Sequence, residues 1–241
     1  MRIPRIYTQQ SLRENSNIDL EEAPSHHLSK VLRMKEGREL ILFNGLGGEY
    51  TATVNEVTKK SVNVKLNNFT NENRQSPLQL ELAIGVSRGD RMEWVLQKAT
   101  ELGVTKITPL ITERTEVKLR GERADKKSDR WLQTIISACE QCQRNILPEL
   151  SEPIAFSEWI PKCNSELKFV LHHRDNQGLT KDKTTHSIAL LNGPEGGLSE
   201  SEITHAQAER FVPLTLGPRV LRTETAPIAA ISLVQYLWGD F

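Results

Sequence analysis

The chain has 241 residues, enough for one large domain or two small ones. Its 31 Lys and Arg balance 31 Asp and Glu, so no overall positive field draws in nucleic acid, and any RNA contact has to come from local patches. No window approaches the roughly 20 apolar residues that span a bilayer, residues 1–10 lack an apolar signal core, and three cysteines are too few for a disulfide framework. A secreted, disulfide-stapled or membrane-spanning protein is therefore not expected, and the cytoplasm is the simplest compartment.

Residues 1–72 read as β-rich. Residues 39–43 and 50–54 flank Asn44-Gly45-Leu46-Gly47-Gly48, a hairpin-type turn. Residues 61–66 alternate apolar and polar, as a half-buried strand does. Short strands with glycine turns predict a small barrel. Residues 67–77 are polar and read as a linker. From Leu78 the pattern changes, and residues 73–241 predict a second domain of alternating strands and helices. Leu78, Leu80, Leu82 and Ile84 alternate as a strand. Asp90 and Glu93 open a helix with Met92, Val95, Leu96, Ala99 and Leu102 on one face, and Gly103 closes it. Residues 104–111 form the next strand of a βαβ unit, hence a mostly parallel sheet in an α/β fold. Further strands are expected at 169–172, 187–191 and 211–216, and helices at 129–144, 200–210 and 227–237. The last helix is apolar nearly all round and is expected to be buried, in part against a second subunit.

Two loops carry the chemistry. The strand at 187–191 runs into Asn192-Gly193-Pro194-Glu195-Gly196-Gly197, and a helix start follows with Ser199 and Glu202 spaced as a capping box. Glycines let the backbone approach something closely, and one carboxylate, Glu195, sits at the centre. The strand at 211–216 runs into Gly217-Pro218-Arg219-Val220-Leu221-Arg222-Thr223-Glu224-Thr225-Ala226, with Pro227 placed for a first helical turn. Such loops at the ends of neighbouring strands meet at the carboxyl edge of an open α/β sheet, where ligands bind. Gly-Pro pairs are also common punctuators, so from spacing alone a ligand loop and a plain turn stay equally open.

Together these loops resemble the SPOUT methyltransferases, and most of all the branch that methylates N3 of a uridine in small-subunit (16S) ribosomal RNA. Gly89-Asp90-Arg91-Met92-Glu93-Trp94, Gln97 to Val104, Arg2-Ile3-Pro4-Arg5, and His27-Leu28 with Val31-Leu32-Arg33 extend the resemblance over nearly the whole chain. It implies a PUA-like β-barrel that binds RNA in residues 1–72, and in 73–241 a SPOUT α/β domain whose C-terminal loops form a deep trefoil knot. It implies a homodimer with each active site at the subunit interface. It implies S-adenosyl-L-methionine as cofactor, held by Leu171, His172, Gly193, Pro194, Glu195, Gly196, Gly197, Leu216, Gly217, Leu221, Arg222 and Ala226.

A uracil N3 is a poor nucleophile until its proton leaves, so the site needs a base or a stabiliser of the anion. Arg222 is the candidate to stabilise that anion or to hold the phosphate, and Glu195 or Glu224 the candidate proton acceptor or partner of an arginine. Glu224 reads more readily as a carboxylate favoured by a helix N-terminus. The charged stretch that holds Arg114 and Arg120 reads as a solvated face, but the resemblance implies a catalytic and RNA-contacting role for Arg114 and places Arg144 near the site as an RNA contact. Arg2, Arg5, Tyr7 and Arg33 read as an N-terminal arm on the barrel or as RNA contacts, since arginines contact phosphate and aromatics stack on unpaired bases, and the resemblance favours RNA. Cys139-x-x-Cys142 lies mid-helix with a single further cysteine and reads as packing, and the adjacent pairs His26-His27 and His172-His173 lack helical ligand spacing, so no metal is expected. Two other activities remain compatible with these loops: ribose 2′-O-methylation of transfer or ribosomal RNA, and RNA binding without catalysis.

Overall fold

The computed structural model describes residues 3–119, 121–172 and 184–241. The chain forms two compact units, residues 1–75 with 139–147, and residues 76–138 with 148–241. Arg2, Arg120 and His173 lie outside the described residues.

The first unit holds β1 (Arg5–Tyr7), β2 (Asn17–Asp19), α1 (Glu22–His26) with a π-helical turn at His27–Val31, β3 (Glu39–Phe43), β4 (Glu49–Val57) and β5 (Val62–Thr70). They pair in the order β1-β3-β4-β5-β2, with β1 parallel to β3 and every other pair antiparallel. The alternation of β5 sends Val62, Val64 and Leu66 into a core with Leu40, Leu42, Ala52, Val54 and Leu28. Residues 67–70, expected in a linker, continue β5 because Phe69 pairs with Tyr50 and Thr70 with Glu49, and the two rings meet at 4.9 Å. The strands β1 and β2 are only three residues each, too short for an alternation to show.

The second unit contains β6 (Gln79–Gly85), α2 (Asp90–Glu101), β7 (Lys106–Ile111), α3 (Glu122–Cys142), β8 (Glu149–Leu150), β9 (Ile154–Ala155), α4 (Phe156–Trp159), β10 (Leu167–Leu171), β11 (Ser187–Asn192), α5 (Glu200–Ala208), β12 (Val212–Leu214) and α6 (Thr225–Trp238). From Cys139 onward α3 belongs to the first unit. All sheet pairs are parallel, in the order β12-β10-β11-β6-β7-β8, with β9 beside β7. Central strands of such a sheet are covered on both faces, which is why β11 is an unbroken apolar run with five buried residues in succession. One face packs on Phe156, Trp159, Ile160, Ala206 and Phe211. The helices α2 and α6 carry Met92, Leu96, Ala99, Ala230, Ile231 and Val234, all buried.

Two expectations need correction. The helix expected at 129–144 begins at Glu122 and ends at Cys142, because its charged first turns carry Glu122 and Asp125 at the positive end of the dipole. The strand expected at 211–216 is only Val212–Leu214, and the chain leaves the sheet at Thr215. The last helix is half covered by its own chain, with Leu233 44% and Tyr236 69% exposed. Its buried Gln235 is satisfied, accepting from the Ser76 hydroxyl at 2.7 Å and donating to the Leu102 carbonyl at 2.9 Å.

Arg5 and Glu49 form the polar centre of the first unit. Arg5 donates to Glu49 at 2.8 Å and to the Asn145 side chain, and its guanidinium lies over the Phe43 ring. Burial pushes the Glu49 pKa up, but hydrogen bonds from Arg5, Asn145 and Arg74 and the Arg5 charge more than offset this, leaving it below its ordinary 4.5. A depressed folded-state value contributes stability above the ordinary value, lost as pH falls through the folded one. Glu49→Gln should therefore destabilise the protein by about 3 kcal/mol at pH 7, the cost of leaving a buried guanidinium unpaired. The difference between variant and wild type should shrink as pH falls below 4.5. Urea unfolding of both proteins at pH 7 and pH 3 checks it, and an equal difference at the two pH values contradicts it.

Candidate functional site

The carboxyl ends of β10, β11 and β12 lie side by side, and the loops leaving them enclose a cavity of about 280 Å³. Its walls come from Leu171 and His172 after β10, residues 192–198 after β11, and Leu214 to Gly217, Arg219 to Leu221, Thr223 and Ala226 after β12, with Arg114, Glu200 and Ile203 completing it. Of the twelve residues expected to hold a cofactor, Leu171, His172, Gly193 to Gly197, Leu216, Gly217, Leu221 and Ala226 line this one cavity; Arg222 does not.

The Gly193–Gly197 turn is built on backbone contact. A Cβ on Gly193 would lie 2.7 Å from the Gly197 carbonyl carbon and the Leu198 nitrogen. Gly85, at the end of β6, is pressed against Pro194: a Cβ there would collide with the proline ring and lie 2.5 Å from its nitrogen. The capping box at the start of α5 is complete, with Glu202 N–H donating to Ser199 Oγ at 3.2 Å and Ser199 N–H to Glu202 at 2.9 Å. Glu202 also accepts the Glu113 N–H at 2.9 Å, tying α5 to the loop that carries Arg114.

The second loop is fastened to the first. After β12, at the edge of the sheet, the chain turns back across the end of β10 and reaches β11 at Thr223. There the buried Asn192 amide donates to the Thr223 carbonyl at 3.0 Å, the Thr223 hydroxyl at 3.2 Å and the Gly193 carbonyl at 3.1 Å. The Thr223 hydroxyl donates to the Gly193 carbonyl at 2.7 Å. Asn192 and Thr223 were not singled out in the sequence, although a polar residue ending the apolar run 187–191 is the signal that would have found them.

The charged candidates fall into distinct places. Glu195 accepts the Arg88 N–H and an Arg91 guanidinium N–H, both at 2.9 Å. Burial pushes its pKa up, yet hydrogen bonds from the Arg88 N–H, its own N–H and Arg91 outweigh burial and hold it below the carboxylate range. Arg91 reaches on towards Glu224 at 4.0 Å. Glu224 occupies the position before the first turn of α6, makes no side-chain cap there, and lies 3.9 Å from Arg222. The Arg222 side chain is 79% exposed. Arg114 donates to the Gly196 carbonyl at 2.8 Å and the Leu198 carbonyl at 3.3 Å, so it braces the turn from outside. The rest of its stretch includes a solvated ion-pair face, with Arg88 on Glu116 and Arg130 on Glu93, both at 2.8 Å.

In the first unit, Arg33 is exposed and takes a left-handed φ of +50° after the π-helical turn. Tyr7 is half-buried against Phe43, and its N–H donates to Glu140. Arg5 and Arg144 point inward, Arg5 into the Glu49 pair and Arg144 towards Gln75, which leaves neither guanidinium on the surface for a phosphate. Cys139 is fully buried and burial pushes its thiol up to about 12; Cys163 is buried too, and Cys142 half-buried. Among the described residues no group of three or more His, Cys, Asp or Glu is placed to hold a metal ion.

A parallel sheet with a loop-walled cavity at its carboxyl edge, preceded by a small β unit, is the architecture that RNA methyltransferase family models cover in this chain. Residues 74–235 match the RNA methyltransferase domain family and residues 20–67 the RNA methyltransferase PUA domain family. The chain is 35% identical to the ribosomal RNA small subunit methyltransferase E of Buchnera aphidicola, over 99% of this chain and 98% of that protein. Its fold superposes at a TM-score of 0.94 and 39% identity on the Neisseria gonorrhoeae ribosomal RNA small subunit methyltransferase E bound to S-adenosyl methionine. A Legionella pneumophila protein solved with the bound cofactor SAM gives 0.97 and 43%, and each of these two structures matches over 100% of both chains. The chain belongs to the family of ribosomal RNA small subunit methyltransferases E.

Two outcomes follow from this geometry. Asn192→Ala should destabilise the second unit by about 1–3 kcal/mol, since two carbonyls and a hydroxyl lose a buried donor. Combining it with Thr223→Val should cost less than the sum of the single changes, because both act on the same clip; thermal unfolding of the three variants checks this, and strict additivity contradicts it. In a thiol titration of the native protein, one cysteine of three should react quickly, and mass mapping should place the label on Cys142.

Proposed function

We propose that this protein transfers a methyl group from S-adenosyl-L-methionine to N3 of a uridine in small-subunit ribosomal RNA. The observation that carries this is the backbone-walled cavity at the ends of β10, β11 and β12, in a chain that matches cofactor-bound relatives from end to end. The cavity fits the cofactor by its chemistry. Leu171, Ile203, Leu214, Leu216 and Leu221 offer apolar surface for a purine and an aliphatic chain, and the close-set glycine backbone offers N–H and C=O groups. Its volume of about 280 Å³ is near the lower end of small-molecule sites, about 300–1,000 Å³.

The bound cofactor supplies an electrophilic methyl group. This chain's residues position the acceptor and manage its charge. Glu195, already accepting from Arg88 and Arg91 and held ionised, is a poor proton acceptor and acts as the orienter of Arg91. Glu224 lies between Arg91 and Arg222 and steers the latter. Arg222 stabilises the negative charge that N3 takes on when its proton leaves. Arg114 keeps the Gly196 turn in place and presents its remaining charge to the RNA. Residues 1–72 act as the RNA-binding domain, through Arg33 and Tyr7, and residues 73–241 as the catalytic one. The return of the chain across β10 to Thr223 supports a trefoil-knotted arrangement of the C-terminal loops. The exposed apolar side chains of α6, Leu233 and Tyr236, support a homodimer joined through that helix. A ribosomal substrate supports an activity in the cytoplasm.

Incubation with small-subunit RNA from a strain lacking this methyltransferase and labelled cofactor tests the activity: label on a uracil base is expected, and label confined to ribose, or none, contradicts it. Arg222→Ala should abolish turnover while leaving the melting temperature and cofactor affinity within about twofold of wild type; unchanged turnover removes Arg222 from the mechanism. Gly196→Val should abolish calorimetric binding of the cofactor, because its Cβ would already lie 3.1 Å from Arg114 Cβ and branching adds further atoms there. Tyr236→Asp should shift the sedimenting species from dimer to monomer.

A further inference from the structure

The lip of the cavity carries a cation with no function assigned so far. Residues 217–220 of the loop after β12 are exposed, although Arg219 and Val220 belong to the cavity wall. Val220 is 76% exposed, an apolar side chain held out beside a ligand cavity. Gly217 takes a φ of +75° and the ring of Pro218 fixes its own φ, so the course of the loop is set by its backbone. Arg219 bends back over this turn, with its NH2 group 3.7 Å from where a Cβ of Gly217 would stand.

The arginines around the cavity differ in what holds them. Arg91 is paired with Glu195, Arg88 with Glu116, and Arg222 is 3.9 Å from Glu224. Arg114 is engaged by two carbonyls. Among the described residues no carboxylate lies within 4.0 Å of the Arg219 guanidinium. In a protein of net charge zero, contact with a polyanion has to come from local cations of this kind. Resting on the assignment of this chain as an RNA methyltransferase, we propose that Arg219 binds a backbone phosphate of the substrate RNA next to the target nucleotide, with Val220 against the adjoining sugar or base. Arg219 is thus a substrate-binding residue within the loop whose backbone walls the cofactor cavity.

Arg219→Ala and Arg219→Lys test this, with RNA affinity measured across a salt series and cofactor affinity by calorimetry. The RNA used is small-subunit ribosomal RNA, deproteinised or in assembled subunits, whichever the wild type methylates. For Arg219→Ala, RNA binding should weaken roughly tenfold and the slope of log K against log salt should fall by about 1, the signature of one lost phosphate contact. Cofactor affinity and melting temperature should stay within about twofold and a degree of wild type. Arg219→Lys should keep the salt slope, since an ammonium also meets a phosphate as a point charge. An unchanged affinity and slope in Arg219→Ala overturns the proposal, and so does an equal loss of cofactor affinity, which would make Arg219 part of the cofactor site. If the wild type neither binds nor methylates either form of RNA, the methyltransferase assignment itself fails, an outcome distinct from a variant that matches an active wild type.

Discussion

The second unit depends on the approach of bare backbone at the carboxyl ends of β6 and β11. Gly85 lies against Pro194, and Gly193 lies against Gly197 and Leu198, at separations that no Cβ tolerates. This compression gives the first loop its shape, and the Asn192 amide transmits that shape to the second loop through Thr223. A cavity walled by loops keeps a defined form only if its buried polar groups are satisfied, and here one asparagine and one threonine satisfy the carbonyls of both loops. The same residues line the cavity, so the clip that joins the loops also fixes its wall.

Charge is organised locally because it is absent globally. The carboxylate at the centre of the first loop serves the loop: it fastens Arg88 and Arg91 and is held ionised by them. Arg91 in turn reaches the carboxylate that precedes α6, so one guanidinium from α2 relates the two halves of the cavity. Arg222 and Arg219 belong to the same loop, the first beside Glu224 and the second with no carboxylate within 4.0 Å among the described residues.

The first unit uses its basic residues differently from what their positions in the sequence suggest. Arg5 belongs to an interior pair with Glu49, and Arg144 is buried beside Gln75, whereas Arg33 stands out on a strained turn after α1. A buried guanidinium is tolerated only with a carboxylate and an amide to receive it, and Glu49 and Asn145 meet that need.

Local patterns carried much of this protein. The βαβ units, the capping box at Ser199 and Glu202, the two glycine loops and their place at a sheet edge were all legible, because period, turn chemistry and caps act over a few residues. Most of the expected cofactor residues line one cavity for the same reason: they lie in two short runs leaving adjacent strands. What tertiary structure alone decided were the long-range pairings. The extension of β5 to Thr70 depends on Tyr50 and Glu49, the inward turn of Arg5 on Glu49 and Asn145, the need for glycine at 85 on Pro194, and the clip between the loops on Asn192 meeting Thr223. Each partner lies some twenty to one hundred and forty residues away in the chain, and no local propensity encodes a contact whose existence waits on the packing of the whole sheet.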